Sequence, residues 1–542
     1  MAQTLATPGV YVEEKKAFPN SLVSIPTAVP TFIGYTEKAG RGGQSLINRP
    51  IRVTSLADYQ SIFGGGFPGT FTIKAAPNAL QEFDFELDGK GYSLLSDMTS
   101  KFLLYNSIRM FFANGGKNCY VISVGSYYAP ALPAKPEKTT KEPKDEVPKE
   151  DAGVKIVEKA GKAADAGKRR INSINKKALE DAIGVLISEE EPTLLIIPEA
   201  VMLEEADCYA LQQAMLLHCG FKMRNRFAIL DVYNGFLPRT YDENDVITRF
   251  REGVGSNNLS YGAAYYPWVY SSIVQNEEVS YKSVSNIDQL ETLLSREAEL
   301  TTDNPKKVDE IKTEVRKLSQ ADTDADTLNQ TLLAISPTFK TIMQKVRAQM
   351  NVIPPSAGMA GVYAAVDNTR GVWKAPANVG FNSVIAPVVK LTNDDQEDLN
   401  VTVTGKSVNA IRSFIGQGTV IWGARTLDGN SQDYRYINVR RTLIYMEQSI
   451  KLAAKAYVYE PNTAATWILI RSMIASFLDD LWRQGGLVGT TPDQAYEVLV
   501  GLGTTMTPND ILDGIMRISV KVAISRPAEF IVITFQQKMQ ES

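Results

Sequence analysis

Hydrophobic spacing divides the chain into strand-like and helix-like stretches. Val10 and Val12 alternate with Tyr11 and Glu13, the period-two pattern of a half-buried strand. Pro19, Pro26 and Pro30 then interrupt the chain. A short strand tethered by such a linker is not stable alone, so it must pair with its own domain or with a neighbouring subunit by strand addition. Residues 31–35 form a second apolar run. Residues 101–124 read as a helix, a turn at Asn114-Gly115-Gly116-Lys117, and an apolar strand beginning at Cys119. Residues 193–197 are continuously apolar, as in a strand covered on both faces. A helical stretch over 204–219 leads to a second such run at 227–232, a strand–helix–strand unit that predicts parallel pairing. Residues 261–269 add another strand.

The pattern then turns helical. Ile287, Leu290 and Leu294 form one stripe, and Val308, Ile311, Val315 and Leu318 form a matching seam. With Asn304-Pro305 as a helix start, they predict a helical hairpin within 284–350, followed by an amphipathic helix marked by Phe339, Ile342, Met343, Val346 and Met350. Trp467, Ile470, Ile474, Phe477, Leu478 and Leu481 make the buried stripe of a helix capped by Asn462 and stopped by Gly485-Gly486. Ile518, Val520 and Val522 alternate with Ser519 and Lys521, a half-buried strand. After Arg526-Pro527, the run Phe530, Ile531, Val532 and Ile533 is apolar on both faces and predicts a strand sandwiched in a sheet. On a helix over 441–458, Glu447, Lys451 and Lys455 fall on one charged line, either a solvated face or a docking face.

Composition adds limits. A chain of 542 residues exceeds one ordinary core and implies several domains. Net charge is −4, which gives no general attraction to nucleic acid or acidic membranes. Prolines among interleaved Lys and Glu make residues 130–178 a solvated insertion, not a nucleic-acid-binding tract. No run approaches the ~18 apolar residues of a membrane span, and residues 1–10 carry no secretory pattern. Three cysteines do not make a disulfide framework, so a reducing cytosol is the expected site of folding.

Candidate chemistry is sparse. The glycine-rich loop at 64–70 lacks the lysine of a phosphate cradle, and the one at 114–118 precedes a strand instead of following it. Pro198-Glu199-Ala200, after the run at 193–197, has no dinucleotide fingerprint. On one helix, Cys208 and Cys219 would lie about 16 Å apart, too far to share a metal with His218, the single histidine. Asp231, within the run at 227–232, has no basic or metal partner in view. No catalytic, cofactor-binding or metal-binding residue is assigned. An α/β enzyme using residues 193–270, or a surface-binding module, stands as the alternative to a structural role.

An ordered series of strings resembles the phage tail sheath family, which includes the sheaths of R-type pyocins and extracellular contractile injection systems. The strings are PGVYVEE at 8–14, TAVPTFIG at 27–34, FFANGGKNCYV at 111–121, AAYYPW at 263–268, PPSAGMAGVYAAVDNTRGVWKAPAN at 354–378, IWGARTL at 421–427, RYINVRR at 435–441, EPNTAATW at 460–467 and PAEF at 527–530. The insertion at 130–178 and the helical stretch at 276–350 depart from the family pattern. The resemblance implies a mixed α/β multidomain subunit without enzymatic activity or cofactor. Its parts would be an N-terminal arm and linker (1–25), an outer α/β domain (26–275), a helical insertion (276–353), a sheath core domain (354–525) and a C-terminal arm (526–542). It implies stacked hexameric rings of this chain around an inner tube, with baseplate and terminal cap proteins as further partners, and no membrane insertion. Assembly would occur in the bacterial cytoplasm and end in a phage tail or tail-like particle. Val10, Tyr11 and Val12, with Phe530, Ile531, Val532 and Ile533, would be strands exchanged between subunits. The sheet of Ile518, Val520 and Val522 would receive them, and Glu447, Lys451 and Lys455 would face the inner tube.

Overall fold

The computed structural model describes residues 25–76, 83–96, 101–128, 171–320 and 324–533. Its centre is a nine-stranded sheet built from β1 (Pro30–Thr36), β2 (Ile51–Val53), β3 (Cys119–Ser126), β4 (Leu194–Ile196), β5 (Phe227–Asp231), β6 (Gly262–Tyr266), β7 (Val379–Gly380), β8 (Asn409–Phe414) and β9 (Gly418–Trp422). The spatial order is β7-β9-β8-β6-β5-β4-β1-β3-β2. The six strands from β8 to β3 run parallel. Antiparallel strands close both margins.

Parallel strands need crossovers that cover both faces, and the side chains divide accordingly. Ile33, Ile122, Leu195, Ala228, Leu230 and Ala264 point to one face, where they meet the helix Lys176–Val185 and the helix Glu205–Leu217. Their neighbours Phe32, Val121, Leu194, Phe227, Ile229 and Tyr265 point to the other. There the helix α1 (Leu104–Ala113) and the helix α2 (Ser356–Arg370) cover the sheet. The small residues in α2 let the two helices approach closely. A Cβ at Gly361 would stand 2.4 Å from the Phe111 carbonyl oxygen, so the position admits only glycine.

The structure corrects the expected division at 353/354. Residues 356–422 supply α2 and three strands of the same sheet that begins at Pro30. The continuous apolar helix 356–370 needs the sheet face for its burial, so no boundary falls there.

A second module stands beside the sheet, and it is not purely helical. The strands Phe71–Ala75, Phe85–Leu87 and Lys90–Ser96 pack Phe71, Ile73, Tyr92 and Leu94 against Leu290, Leu294, Val315, Leu332, Phe339 and Ile342. Those residues come from the helices Ile287–Thr301, Pro305–Arg316, Ala325–Ile335 and Pro337–Met350. Asn286 joins the two segments. It accepts from the Ile73 amide and donates to the Ile73 carbonyl.

The C-terminal module consists of α3 (Ile437–Ala454), α4 (Ala464–Arg483) and a hairpin of β10 (Tyr496–Val500) with β11 (Ile518–Val522). Ile470, Ile474, Phe477, Leu478 and Leu481 form its core with Tyr445, Met446 and Val498. Thr463, not Asn462, occupies the cap position of α4, and Asn462 Oδ1 instead accepts from the Trp467 indole.

Candidate intersubunit interface

Ile518, Val520 and Val522 are half-buried on the face of β11 that packs on the C-terminal core. Val520 stands opposite Val498 in antiparallel register. Among the described residues, β10 and β11 form a sheet of only two strands. A two-stranded ribbon gains stability from any further strand that extends it.

The chain then leaves the hairpin. The Ser525 amide donates to the Gly486 carbonyl, and the Ser525 carbonyl accepts from Asn438 Nδ2. Four residues on, Glu529 is clamped to the body that carries the large sheet. Arg425 donates Nε to Oε1 at 3.0 Å and Nη2 to Oε2 at 2.7 Å. Asn400 donates to Oε1 at 2.7 Å and the Tyr436 hydroxyl to Oε2 at 3.1 Å. Burial raises the Glu529 carboxyl, but these bonds outweigh it and hold the group below the usual carboxylate range. Arg425 is fixed in turn, because its backbone amide and carbonyl both bond to the Asn409 side chain. A groove of about 950 Å³ runs between the arm, Trp373, Arg412 and Trp422.

Beyond the clamp, Phe530, Ile531, Val532 and Ile533 are 70%, 79%, 89% and 70% exposed. Among the described residues they pair with no strand edge. Four consecutive apolar side chains in water are a surface awaiting cover. Val10, Tyr11 and Val12 lie outside the described residues.

On α3, Glu447 and Lys451 are exposed, and so is Lys455 in the turn that follows. The helix ends at Ala454, short of the expected residue 458, and Lys455 approaches Glu190 at 3.7 Å.

The places where an α/β enzyme would bind a ligand are filled from within. In doubly wound sheets the crevice lies at the carboxyl ends of strands where their order reverses, here between β1 and β4. The Glu199 carboxyl sits there, fully buried, and accepts from the backbone amides of Tyr35, Leu103 and Leu104. It thereby satisfies the amino end of α1, the position an anionic ligand would take. Burial pushes its carboxyl up to about 8, against those hydrogen bonds. Gly34 makes room, because a Cβ there would lie 2.8 Å from Glu199 Oε2. At the end of β5, Asp231 accepts from the Ser356 amide and hydroxyl and so caps α2. Burial raises it to about 7.

His218 and the two cysteines weighed with it are buried. His218 Nε2 lies 2.9 Å from Nη1 of Arg226, whose guanidinium also donates to the carbonyls of Leu186, Glu189 and Pro192. Burial and that positive neighbour lower the His218 pKa to about 4. Among the described residues, no group of three or more His, Cys, Asp or Glu is placed to hold a metal ion, and no helix is long and apolar enough to cross a membrane.

Sequence reasoning missed the clamp, although PAEF and IWGARTL carry both of its partners. An acid and an arginine more than 100 positions apart in the chain show no periodicity that would pair them.

With this geometry in view, the chain can be set beside known proteins. Residues 430–538 match the phage tail sheath C-terminal domain family. The tail sheath protein of Vibrio phage KVP40 is 26% identical over 218 residues, covering 40% of this chain and 31% of that protein. The match therefore spans under a third of that relative's length. The fold agrees more widely. It is similar to the sheath of the extracellular contractile injection system PVC in its contracted state, with a TM-score of 0.56 at 25% identity over 99% of both chains. The contracted helical sheath of the anti-feeding prophage gives a TM-score of 0.56 at 25% identity, over 99% of this chain and 100% of that one. The fold is that of a contractile-sheath subunit. Its C-terminal residues thus carry a tail sheath domain, and its fold as a whole is similar to that of contractile sheaths.

Proposed function

We propose that this chain is the structural subunit of a contractile sheath, polymerising as stacked hexameric rings around an inner tube. The observation that carries the reading is the C-terminal arm, rigidly clamped at Glu529 and bare at Phe530–Ile533. In the assembly, this segment and residues 10–12 extend the β10–β11 ribbons of neighbouring subunits. An exchanged strand contributes several backbone hydrogen bonds at ~0.5–1.5 kcal/mol net each, plus burial of its apolar side chains at roughly 25 cal/mol per Å². Such links hold while the globular bodies rotate. Contraction then draws on the difference in packing energy between two lattices, summed along the polymer, and drives the tube through a target envelope. A baseplate triggers it and a terminal cap ends the column. Relatives of similar fold come from contracted sheaths and from a baseplate complex, which supports both a contracting lattice and a baseplate partner. No catalytic role is proposed. The Glu199 carboxyl already occupies the crevice that an α/β enzyme would use.

Negative-stain electron microscopy of the purified protein tests this reading. Hollow tubes with a helical surface lattice are expected, together with their loss on removal of residues 1–14 from a chain that stays folded and soluble. Monodisperse particles in the presence of tube and baseplate proteins would overturn it.

A further inference from the structure

The string RYINVRR at 435–441 is unusually polar for a segment that enters the core, and each polar side chain in it has a separate task. Arg435 Nε donates to the Ser431 carbonyl and holds the preceding loop. Tyr436 reaches Glu529 on the C-terminal arm. Asn438 Nδ2 donates to two carbonyls at once, that of Trp373 at 2.8 Å and that of Ser525 at 3.1 Å. Arg440 stacks between Tyr261 and Tyr434, with its guanidinium carbon 4.4 Å and 3.7 Å from the ring centres. Arg441 pairs with Asp367 of α2, both groups buried, and donates to the Thr27 carbonyl at 3.0 Å.

Thr27 is the root of the other arm. Its carbonyl also accepts from the Thr193 hydroxyl, which in turn accepts from the Val29 amide. The first described residues of the N-terminal linker are thus tied to Arg441, and the last anchored residues of the C-terminal arm to Tyr436 and Asn438. The outermost anchors, Tyr436 and Arg441, are five positions apart, about 8 Å along a helix axis. The helix that carries them is itself fixed, because Ile437, Val439 and Thr442 are buried.

The geometry points to a shared fulcrum. We propose that the amino-terminal turns of α3 hold the roots of both terminal arms on one rigid pivot, so that the two arms of a subunit move as a pair. This rests on the sheath reading for its purpose but not for its test. The two arms would reach different neighbours, and a common pivot makes any rotation imposed through one link appear at the other. No hinge is expected between Pro26 and the tie at Thr27, or between Ala528 and the tie at Glu529.

Spin labels placed at Pro26→Cys and Ala528→Cys test the pivot in the full-length monomer. Both positions are exposed, and Cys119, Cys208 and Cys219 are buried from the reagent. A single narrow inter-label distance is expected. Glu529→Gln combined with Asn438→Ala cuts the C-terminal ties and leaves Arg441 in place, and should cost the narrow peak while circular dichroism stays unchanged. If that variant misfolds, Glu529→Gln with Tyr436→Phe cuts the more exposed ties alone and should likewise cost the narrow peak. A broad distribution in the unaltered protein, or an unaltered narrow peak in a folded variant, would overturn the pivot. In assembled tubes, the distance should be the same before and after contraction, and a change on contraction would also overturn it. If tubes never form, the sheath reading fails while the monomer measurement still decides the pivot.

Discussion

A buried carboxyl without a counter-ion is costly unless its acceptor sites are filled. Glu199 fills them with three backbone amides, and Asp231 with the amide and hydroxyl of Ser356. Neither becomes a reactive group, because each is spent on the amino end of a helix. Their titration gives a test. The folded-state pKa of Glu199, near 8, lies above its unfolded value near 4.5. Its contribution to stability is therefore complete below about pH 4.5 and is lost as the pH rises through 8, at up to ~1.4 kcal/mol per pH unit. Urea unfolding from pH 5 to 8 should show the stability difference between the wild type and Glu199→Gln shrinking or reversing with rising pH. A constant difference would mean that Glu199 does not titrate in this window.

At the scale of elements, the clearest split lies between anchored and bare segments. Ile531 and Ile533 touch little of their own chain, so Ile531→Asp with Ile533→Asp should change the unfolding free energy by less than about 0.5 kcal/mol. The same pair of changes should abolish tubes in electron microscopy. Loss of monomer stability instead would show that the segment packs on its own body. Much of this was legible beforehand. The buried strands near 194–196 and 227–231, the stripe of α4 and the alternation in β11 all follow from a period that one element imposes by itself. The three strands within 71–96 were not legible, because their partners lie some 200 residues away in the helices after Ile287. The continuity of the large sheet through 356–422 escaped for the same reason, since the pairing of Tyr265 with Asn409 joins strands too far apart in the chain to leave a local mark. The C-terminal run was legible as apolar on both faces, but its partner was not, since periodicity reports what a strand needs and not which molecule supplies it.

At the scale of the whole molecule, the charged line on α3 and the bare arm are separate surfaces, and the proposed assembly gives each its own partner. If Glu447, Lys451 and Lys455 face the inner tube, Lys451→Glu with Lys455→Glu should impair extended assembly on tubes while leaving the free protein folded. Pelleting with purified tube protein measures this, and normal co-sedimentation would remove the line from that interface. One last feature is the isolated bridge between Tyr128 and Ile171. It brings the two ends of the segment 129–170 side by side at the margin of the body, with the Asn172 amide donating to the Tyr127 carbonyl to complete the join. The two ends are thus already joined, so replacing 129–170 by Asn-Gly, a sequence suited to a tight hairpin turn, should leave the melting temperature within a few degrees of the original. The join is a socket. A peptide epitope or a small folded domain whose termini lie close together can be seated there, and in the proposed assembly one copy per subunit would decorate the particle along its length.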